Sequence, residues 1–440
     1  MSRDHGAALL LALSSFGFGC GGPAPSPRPP PSNAPKPEAI VVPPASAQAD
    51  APPAPAPTEA AFQGELDTSF GQRGSTLFWQ RSGEHEFKGV ALGKDGAIYA
   101  LGTAPFDSRR DMALVRFDSN GRIDDTFGKS GVARASQQGA SGSALALDAR
   151  GRAWCCGYIY GRGGGEFLIS RVTPTGVLDT KFGNGGIVIH DSGRDDRAQA
   201  IHLLPSGRAL VSGYHSRGKN QVLCLEESGA PCANYGEHGV AVVEPAGSSV
   251  AFATRSALHG NGIVLGGYLP DDHRMFVTRV TANGEVDPSF GRAGTTMVQG
   301  ASVGAAWALA VDARERILIA GQSRSGPVVI ARLDADGSLD TSFGNHGLVV
   351  PLGAMDQLYA LMPLPSGRVL GAGFRNLGDD AVPLLMAINA NGSMPRDPRT
   401  DDSAQRPTFV FDAALDAAGR VVAVGNSPRD RTRAWIARYR

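Results

Sequence analysis

Beyond residue 62 the chain alternates between short apolar runs and clusters of Gly, Asp, Asn and Ser, in an order that repeats. In the first repeat the apolar runs are residues 90–92, 98–101 and 113–117. A fourth short run follows, seen at 131–133, 187–189 and 348–350 in successive copies. Runs this short, rich in β-branched and aliphatic residues and bounded by turn formers, predict strands. The first two runs of each repeat are joined by a tight turn: Asp95-Gly96, Arg150-Gly151, Ser206-Gly207, Asn261-Gly262, Ser366-Gly367 and Ala418-Gly419. Arg314-Glu315 stands in the remaining copy. Such dipeptides are hairpin signals. No capped helical period interrupts them, so the folded part is expected to be all-β.

Two features mark the repeat. One is a turn phrase, Leu66-Asp67-Thr68-Ser69-Phe70-Gly71, which returns at 123–128, 178–183, 286–291 and 339–344, with a worn copy at Cys232-Ala233-Asn234-Tyr235-Gly236. Its glycines, at 71, 128, 183, 236, 291 and 344, stand 53 to 57 residues apart. A period of this length is one supersecondary unit stacked on its neighbours. The other is a glycine closing the second run of every unit: Gly102, Gly157, Gly213, Gly267, Gly321, Gly373 and Gly425. Glycine inside a strand marks a bulge or a close backbone approach. Four strands in about 54 residues make a propeller blade, and seven such glycines predict seven blades.

Alignment on the turn phrase exposes a charged register. Arg116, Arg171, Arg279 and Arg332 precede Asp124, Asp179, Asp287 and Asp340 by the same interval, across a tight turn. A guanidinium–carboxylate pair is directional and suits this bracketing. In one unit both slots change together, to Cys224 and Cys232, which predicts a disulfide in place of the ion pair. Another unit, with Ala387 and Pro395 in the slots and an irregular insert at 396–406, has neither. Asp67 has Glu59 where its arginine belongs, and Arg438 has no aspartate after it. The two orphans complete each other if the N-terminal strand joins the C-terminal blade. The expected fold is therefore a seven-bladed β-propeller with four strands per blade, closed by that pairing.

The turn phrase, preceded by an arginine-bearing strand and a glycine turn, resembles the delta-sixty repeat, a bacterial β-propeller repeat family prominent in myxobacteria. The resemblance covers residues 62–440. It implies a propeller and brings no established reaction, cofactor or catalytic residue. The cysteine-bearing unit and the insert near Pro395 depart from it.

Composition adds an address. The chain has 42 basic and 42 acidic residues, a formal charge of zero and 58 glycines. Without a basic stripe, nucleic-acid binding is not expected. No stretch after residue 20 approaches the roughly 18–20 apolar residues of a membrane span. Residues 1–20 read as an export signal, with Arg3 before an apolar run that ends at Gly19-Cys20. A cysteine there resembles the lipobox of bacterial lipoproteins, with Gly17 and Phe18 departing from its usual residues, so Cys20 is the expected lipidation site. Residues 21–61 are Pro, Ala and Ser, a composition that forms an extended tether rather than a core. The expected domains are thus a leader (1–20), a tether (21–61) and a propeller (62–440).

The search for chemistry returns little. Asp118, Asn120 and Asp124, like Asp334, Asp336 and Asp340, faintly resemble calcium loops, but the other repeats lack the carboxylates, and Asx turns explain them. His190, His202 and His215 have no metal-binding spacing and read as scattered surface residues. Cys155 and Cys156 point to opposite faces of a strand, one toward core and one toward surface. Trp79, Trp154, Trp307 and Trp435 read as packing between blades. No cofactor, metal or catalytic residue is expected. The resulting expectation is a non-catalytic binding or scaffold propeller of the cell envelope, with a protein or glycan partner. It would meet the membrane, in all expectation the outer one, only through its lipid, and act as a single copy. A hydrolase or lyase with its site at the channel mouth is the alternative.

Overall fold

A computed structural model describes residues 62–440 except 79–84, 107–108, 137–138, 162–163, 216, 249, 272, 299–304, 323–326, 351–355, 378–380, 396–398, 401–407 and 427–432. The described residues form 28 strands in seven four-stranded antiparallel sheets, with no helix among them. Blade 1 comprises Glu86–Leu92, Ile98–Phe106, Arg109–Phe117 and Val132–Arg134. The first strands of blades 2 to 7 are Ala140–Leu147, Asp196–Leu203, Phe252–His259, Ala305–Val311, Asp356–Pro363 and Phe409–Leu415. These first strands lie side by side around a ring, and that of blade 7 returns to that of blade 1. The architecture is a seven-bladed β-propeller.

Closure follows the expected route. Ser75–Phe78 pairs antiparallel with Ala434–Tyr439, Thr76 opposite Ile436, so the outer strand of blade 7 comes from the N-terminal side of the chain. The N–H of Asp67 also donates to Arg438 O at 2.8 Å.

Each blade is covered by a neighbour on both faces. The middle strands consequently read as unbroken apolar runs rather than alternating ones, and residues 97–104 are all buried. Cys155 and Cys156 show the geometry in two residues: each is fully buried, one in the core shared with blade 1 and the other in the core shared with blade 3. They do point opposite ways, but neither reaches the surface, because in this fold both faces of a middle strand are interior. Trp154 and Trp435 pack between blades as expected; Trp79 lies outside the described residues.

The turn phrase acts as the lateral clasp. Its first glycine has φ between 50° and 56° in all six copies, a conformation open mainly to glycine. That geometry points the glycine N–H at a turn carbonyl of the next blade: Gly71 to Asn120, Gly128 to Thr175, Gly183 to Ser228, Gly236 to Asn283, Gly291 to Asp336 and Gly344 to Asn391, at 2.7–2.9 Å. The aromatic residue of the phrase fills the adjoining space, as Phe70 does against Gly121. Six of the seven blade junctions carry this clasp. Between blades 6 and 7, where the phrase is missing, no equivalent bond exists among the described residues.

Candidate functional site

The site begins with one extra residue per blade. Each first strand slips register once against the second, between residues 87 and 89, 142 and 144, 198 and 200, 253 and 255, 306 and 308, 358 and 360, and 410 and 412. The skipped residues are Lys88, Ser143, Gln199, Thr254, Trp307, Tyr359 and Phe411. A bulge bends its strand and re-aims a side chain. Here it also dictates the partner. The residue before each bulge faces the recurring glycine of the second strand, and a Cβ on Gly102 would overlap the carbonyl oxygen of Glu86. Gly157, Gly213, Gly267, Gly373 and Gly425 are crowded by the equivalent carbonyls. The recurring glycine is therefore the mark of the bulge.

Six of the seven bulged side chains, joined by Tyr158, Arg197 and Arg255, line a cavity of about 220 Å³. All seven first strands contribute, which places the cavity on the ring axis. Its two sides differ. Blades 5 to 7 supply aromatic rings: Trp307 stacks on Tyr359 (centroids 5.8 Å apart, planes at 14°), Tyr359 on Phe374 (5.6 Å), and Phe411 meets Tyr359 edge-on at 5.6 Å. Blades 1 to 4 supply polar and cationic groups. Lys88 pairs with Glu86 at 3.1 Å, and Arg197 pairs with Asp195 at 3.4 Å while lying 5.1 Å above the Tyr158 ring. Arg255 donates through Nη1 to its neighbour's carbonyl, Thr254 O, at 2.8 Å and has no ion pair among the described residues. Trp307 thus packs between blades as expected, through its stack on Tyr359 of blade 6, and also lines the channel.

Behind Phe411 lies Asp412, which accepts from the N–H of Val90 in blade 1 at 2.9 Å and from that of Ala413 at 2.9 Å. Burial pushes its pKa up to about 6, against the lowering effect of the Val90 amide and the Arg255 charge. Sign then decides the pH dependence. A folded-state pKa above the unfolded one means that the stability tied to the neutral carboxyl is complete near pH 4 and is lost as pH rises through about 6. Asp412→Asn cannot ionise. The wild type should lose about 2 kcal/mol relative to this variant between pH 4 and pH 7.5, a figure reduced for water in the channel. Paired denaturant titrations at the two pH values measure it, and a difference independent of pH would contradict the assignment.

The Arg–Asp register occupies the opposite, outer part of the blades. Nε–Oδ2 distances are 3.3 Å for Arg116–Asp124, 2.8 Å for Arg171–Asp179, 2.7 Å for Arg279–Asp287, 2.7 Å for Arg332–Asp340 and 2.8 Å for Arg438–Asp67. Four of these arginines do more than the spacing implied. Through Nη1 they donate to a turn carbonyl of the next blade: Arg171 to Glu227, Arg279 to Ala335, Arg332 to Ala390 and Arg438 to Ser119. The same four guanidiniums sit 4.2–5.7 Å above the phenylalanine of their own turn phrase. Arg116 turns instead to Asp95, at 3.0 Å. At Asp67 burial would raise the pKa, but hydrogen bonds from Ser69 and the charge of Arg438 outweigh it and lower it. A second set of pairs lies beyond the register read from the turn phrase: Arg152–Asp148, Arg316–Asp312 and Arg420–Asp416 at 2.6–2.8 Å, with Arg420 also 3.4 Å from Asp67. The Asp-x-x-x-Arg spacing across the first hairpin is the signal that marks them. Asp118 and Asp336 form Asx turns, accepting from the N–H groups of Asn120 and Ser338.

Cys224 and Cys232 form a disulfide with Cα atoms 5.4 Å apart. It replaces the ion pair inside the blade but not the arginine's reach to the next one. Burial pushes the Cys155 thiol far up and the Cys156 thiol to about 12. Native protein should therefore resist alkylation, and after unfolding without reductant only Cys155 and Cys156 of this body should label. Reduction should cost about 2 kcal/mol in a denaturant titration, from loop-closure entropy. Labelling of four thiols would exclude the bond. Cys20, the 1–20 leader and the 21–61 tether lie outside the described residues.

The three histidines differ from expectation. His215 is buried. His202 bonds Ser256 Oγ at 2.8 Å, and burial pulls its pKa down to about 4. His190 bonds Gln221 at 3.0 Å. His202 and His215 stand in blade 3, whereas His190 ends the outer strand of blade 2 and reaches across to Gln221 of blade 3; none of the three is fully exposed. Among the described residues no group of three His, Cys, Asp or Glu side chains converges as a metal site would require.

With this geometry in view, residues 93–127 and 316–343 match the family described as a domain of unknown function (DUF5122) beta-propeller. Both matched stretches run from a first hairpin to the Phe of the turn phrase. The chain resembles a bacterial β-propeller family. A search of curated proteins returns no match. Among solved structures, virginiamycin B lyase from Staphylococcus aureus is 10% identical with a TM-score of 0.52, the alignment covering 82% of this chain and 98% of that one. YCF48 from Cyanidioschyzon merolae is 11% identical with a TM-score of 0.50, covering 83% and 98%. At these identities the likeness is one of fold.

Proposed function

We propose that the chain is an exported binding propeller of the bacterial cell envelope, lipidated at Cys20, held off the membrane by residues 21–61, and receiving its ligand in the central channel. The observation that carries the reading is the cavity wall. Six bulged side chains converge on it, and among the described residues it offers aromatic rings, hydroxyl, amide and cationic groups but no carboxylate or histidine. Acid–base chemistry draws most often on histidine or a carboxylate within reach of the reacting atoms, whereas recognition needs an apolar face and a few placed polar groups. The disulfide suits an oxidising, extracytoplasmic compartment. A hydrolase or lyase remains the second reading, favoured by Asp412 alone, since a carboxyl with a raised pKa beside a channel is a candidate acid.

Trp307 provides the test, because Trp154 and Trp435 are buried away from the channel. Envelope glycans and small organic acids titrated into the full chain should give a saturable change in tryptophan fluorescence that Trp307→Phe abolishes, with the ligand recovered intact. Conversion of the ligand would replace this reading with the enzyme. A response that survives Trp307→Phe would remove the channel from the account. For the address, Cys20→Ser should abolish incorporation of labelled fatty acid and release the protein from membranes; unchanged retention would refute the anchor.

A further inference from the structure

Among the described residues three cations line the channel, and two of them are occupied. Lys88 is engaged by Glu86, and Arg197 by Asp195 and the Tyr158 ring. Arg255 is different: apart from one bond to a backbone carbonyl, its donors meet no protein partner among the described residues. A partly buried guanidinium whose nearest carboxylate, Asp412, acts on it without a direct ion pair is poorly compensated, and a carboxylate that fits its planar fork compensates it well. Asp412, the nearest carboxylate influence on it, is already committed to Val90 and Ala413 through both oxygens. In the next blade round the ring the aromatic stack Phe374–Tyr359–Trp307 ends at Trp307, which lines the same cavity. Ser143 of blade 2 and Gln199 of blade 3, in the same wall, supply a hydroxyl and an amide. A volume of about 220 Å³ is below the roughly 300–1,000 Å³ of sites for drug-sized ligands and suits a single ring.

We infer that the channel selects a carboxylate carried on a six-membered ring, the carboxylate held by Arg255 and the ring laid against Trp307, with Ser143 and Gln199 placed to bond ring hydroxyls. This rests on the channel being the ligand site. Two sources share the chemistry: a sugar acid, whose C–H face packs on indole, and an aromatic acid.

Calorimetric titration of the full chain separates the possibilities. The probes are D-glucuronate and benzoate, their neutral counterparts D-glucose and benzyl alcohol, and acetate as a carboxylate without a ring. At least one ring acid should bind, while its neutral counterpart and acetate do not. Affinity should fall at least tenfold in both Arg255→Gln and Trp307→Ala, each checked for native circular dichroism. Arg255→Lys, which keeps the charge and loses the fork, should fall in between; it serves as the deciding variant if Arg255→Gln does not fold. Glucuronate binding alone assigns a sugar acid, and benzoate binding alone an aromatic acid. Undiminished binding in Arg255→Gln, or no binding by either acid, would overturn the inference. If a neutral ring compound binds and is lost in Trp307→Ala, the channel reading survives and the carboxylate claim falls.

Discussion

A chain ending at Arg433 is expected not to form the propeller at all, although it keeps all the strands of six blades. The missing segment, Ala434–Tyr439, is buried along its whole length. Trp435, Ile436 and Tyr439 each contribute about 1.5–3 kcal/mol of apolar burial. Their loss also exposes the hydrogen-bonding edge of Val421–Asn426 and strands Ser75–Phe78, which among the described residues pairs with no other strand. Of its two arginine contacts Asp67 would keep only the longer one, from Arg420, and breaking a buried ion pair costs about 3–5 kcal/mol. Together these approach the roughly 5–15 kcal/mol that holds a typical domain folded. Near-ultraviolet circular dichroism and calorimetry should show no cooperative transition. A sharp transition at the full-length temperature would mean that the blades form an open array. The milder Arg438→Met should lower stability by about 3 kcal/mol, because it also abandons Ser119 of blade 1.

The second large effect is expected from a single methyl group. Gly102→Ala puts a Cβ onto the carbonyl oxygen of Glu86, and the strand can relieve the overlap only by undoing its bulge. The cost should be about 3–5 kcal/mol, at the upper end for one substitution. Gly247→Ala is the proper comparison: its φ of 85° is also unfavourable for alanine, but nothing lies within 4 Å, so about 1–2 kcal/mol is expected. Denaturant titrations of the two variants decide the matter. Equal losses would show that the recurring glycine is a conformational requirement unconnected with the bulge. A further check is ligand response, since removing one bulge should move Lys88 away from the channel.

The same bulges explain what can and cannot be read from the chain. The turn phrase is legible because each of its residues has a local role. Asp67 accepts from Ser69, Phe70 packs, and Gly71 turns a donor toward the next blade. Roles set by backbone geometry recur wherever the geometry recurs. Closure is legible for the same reason, as two positions of the register left without partners. The channel is not. In blade 1 the apolar run is visible only from Val90, whereas the strand begins at Glu86. The intervening Lys88 is the extra residue that breaks the period of two, so the leading half of this first strand has no strand-like pattern. Trp307 reads as packing because nothing in a linear pattern distinguishes a bulged tryptophan from a core one. Arg255 carries no signal, since its significance lies in the partner it lacks.

The extra residue in each first strand has a wider consequence. Most side chains that hold one blade to the next point into the flanks, while six of the seven bulged positions line the axial cavity; the seventh, Thr254, is buried and donates to Ala306 O of blade 5. Specificity and foldability are thereby assigned to separate residues. Randomising those six positions should yield a repertoire of receptors on an unchanged frame, in the way antibody loops diversify over a constant scaffold.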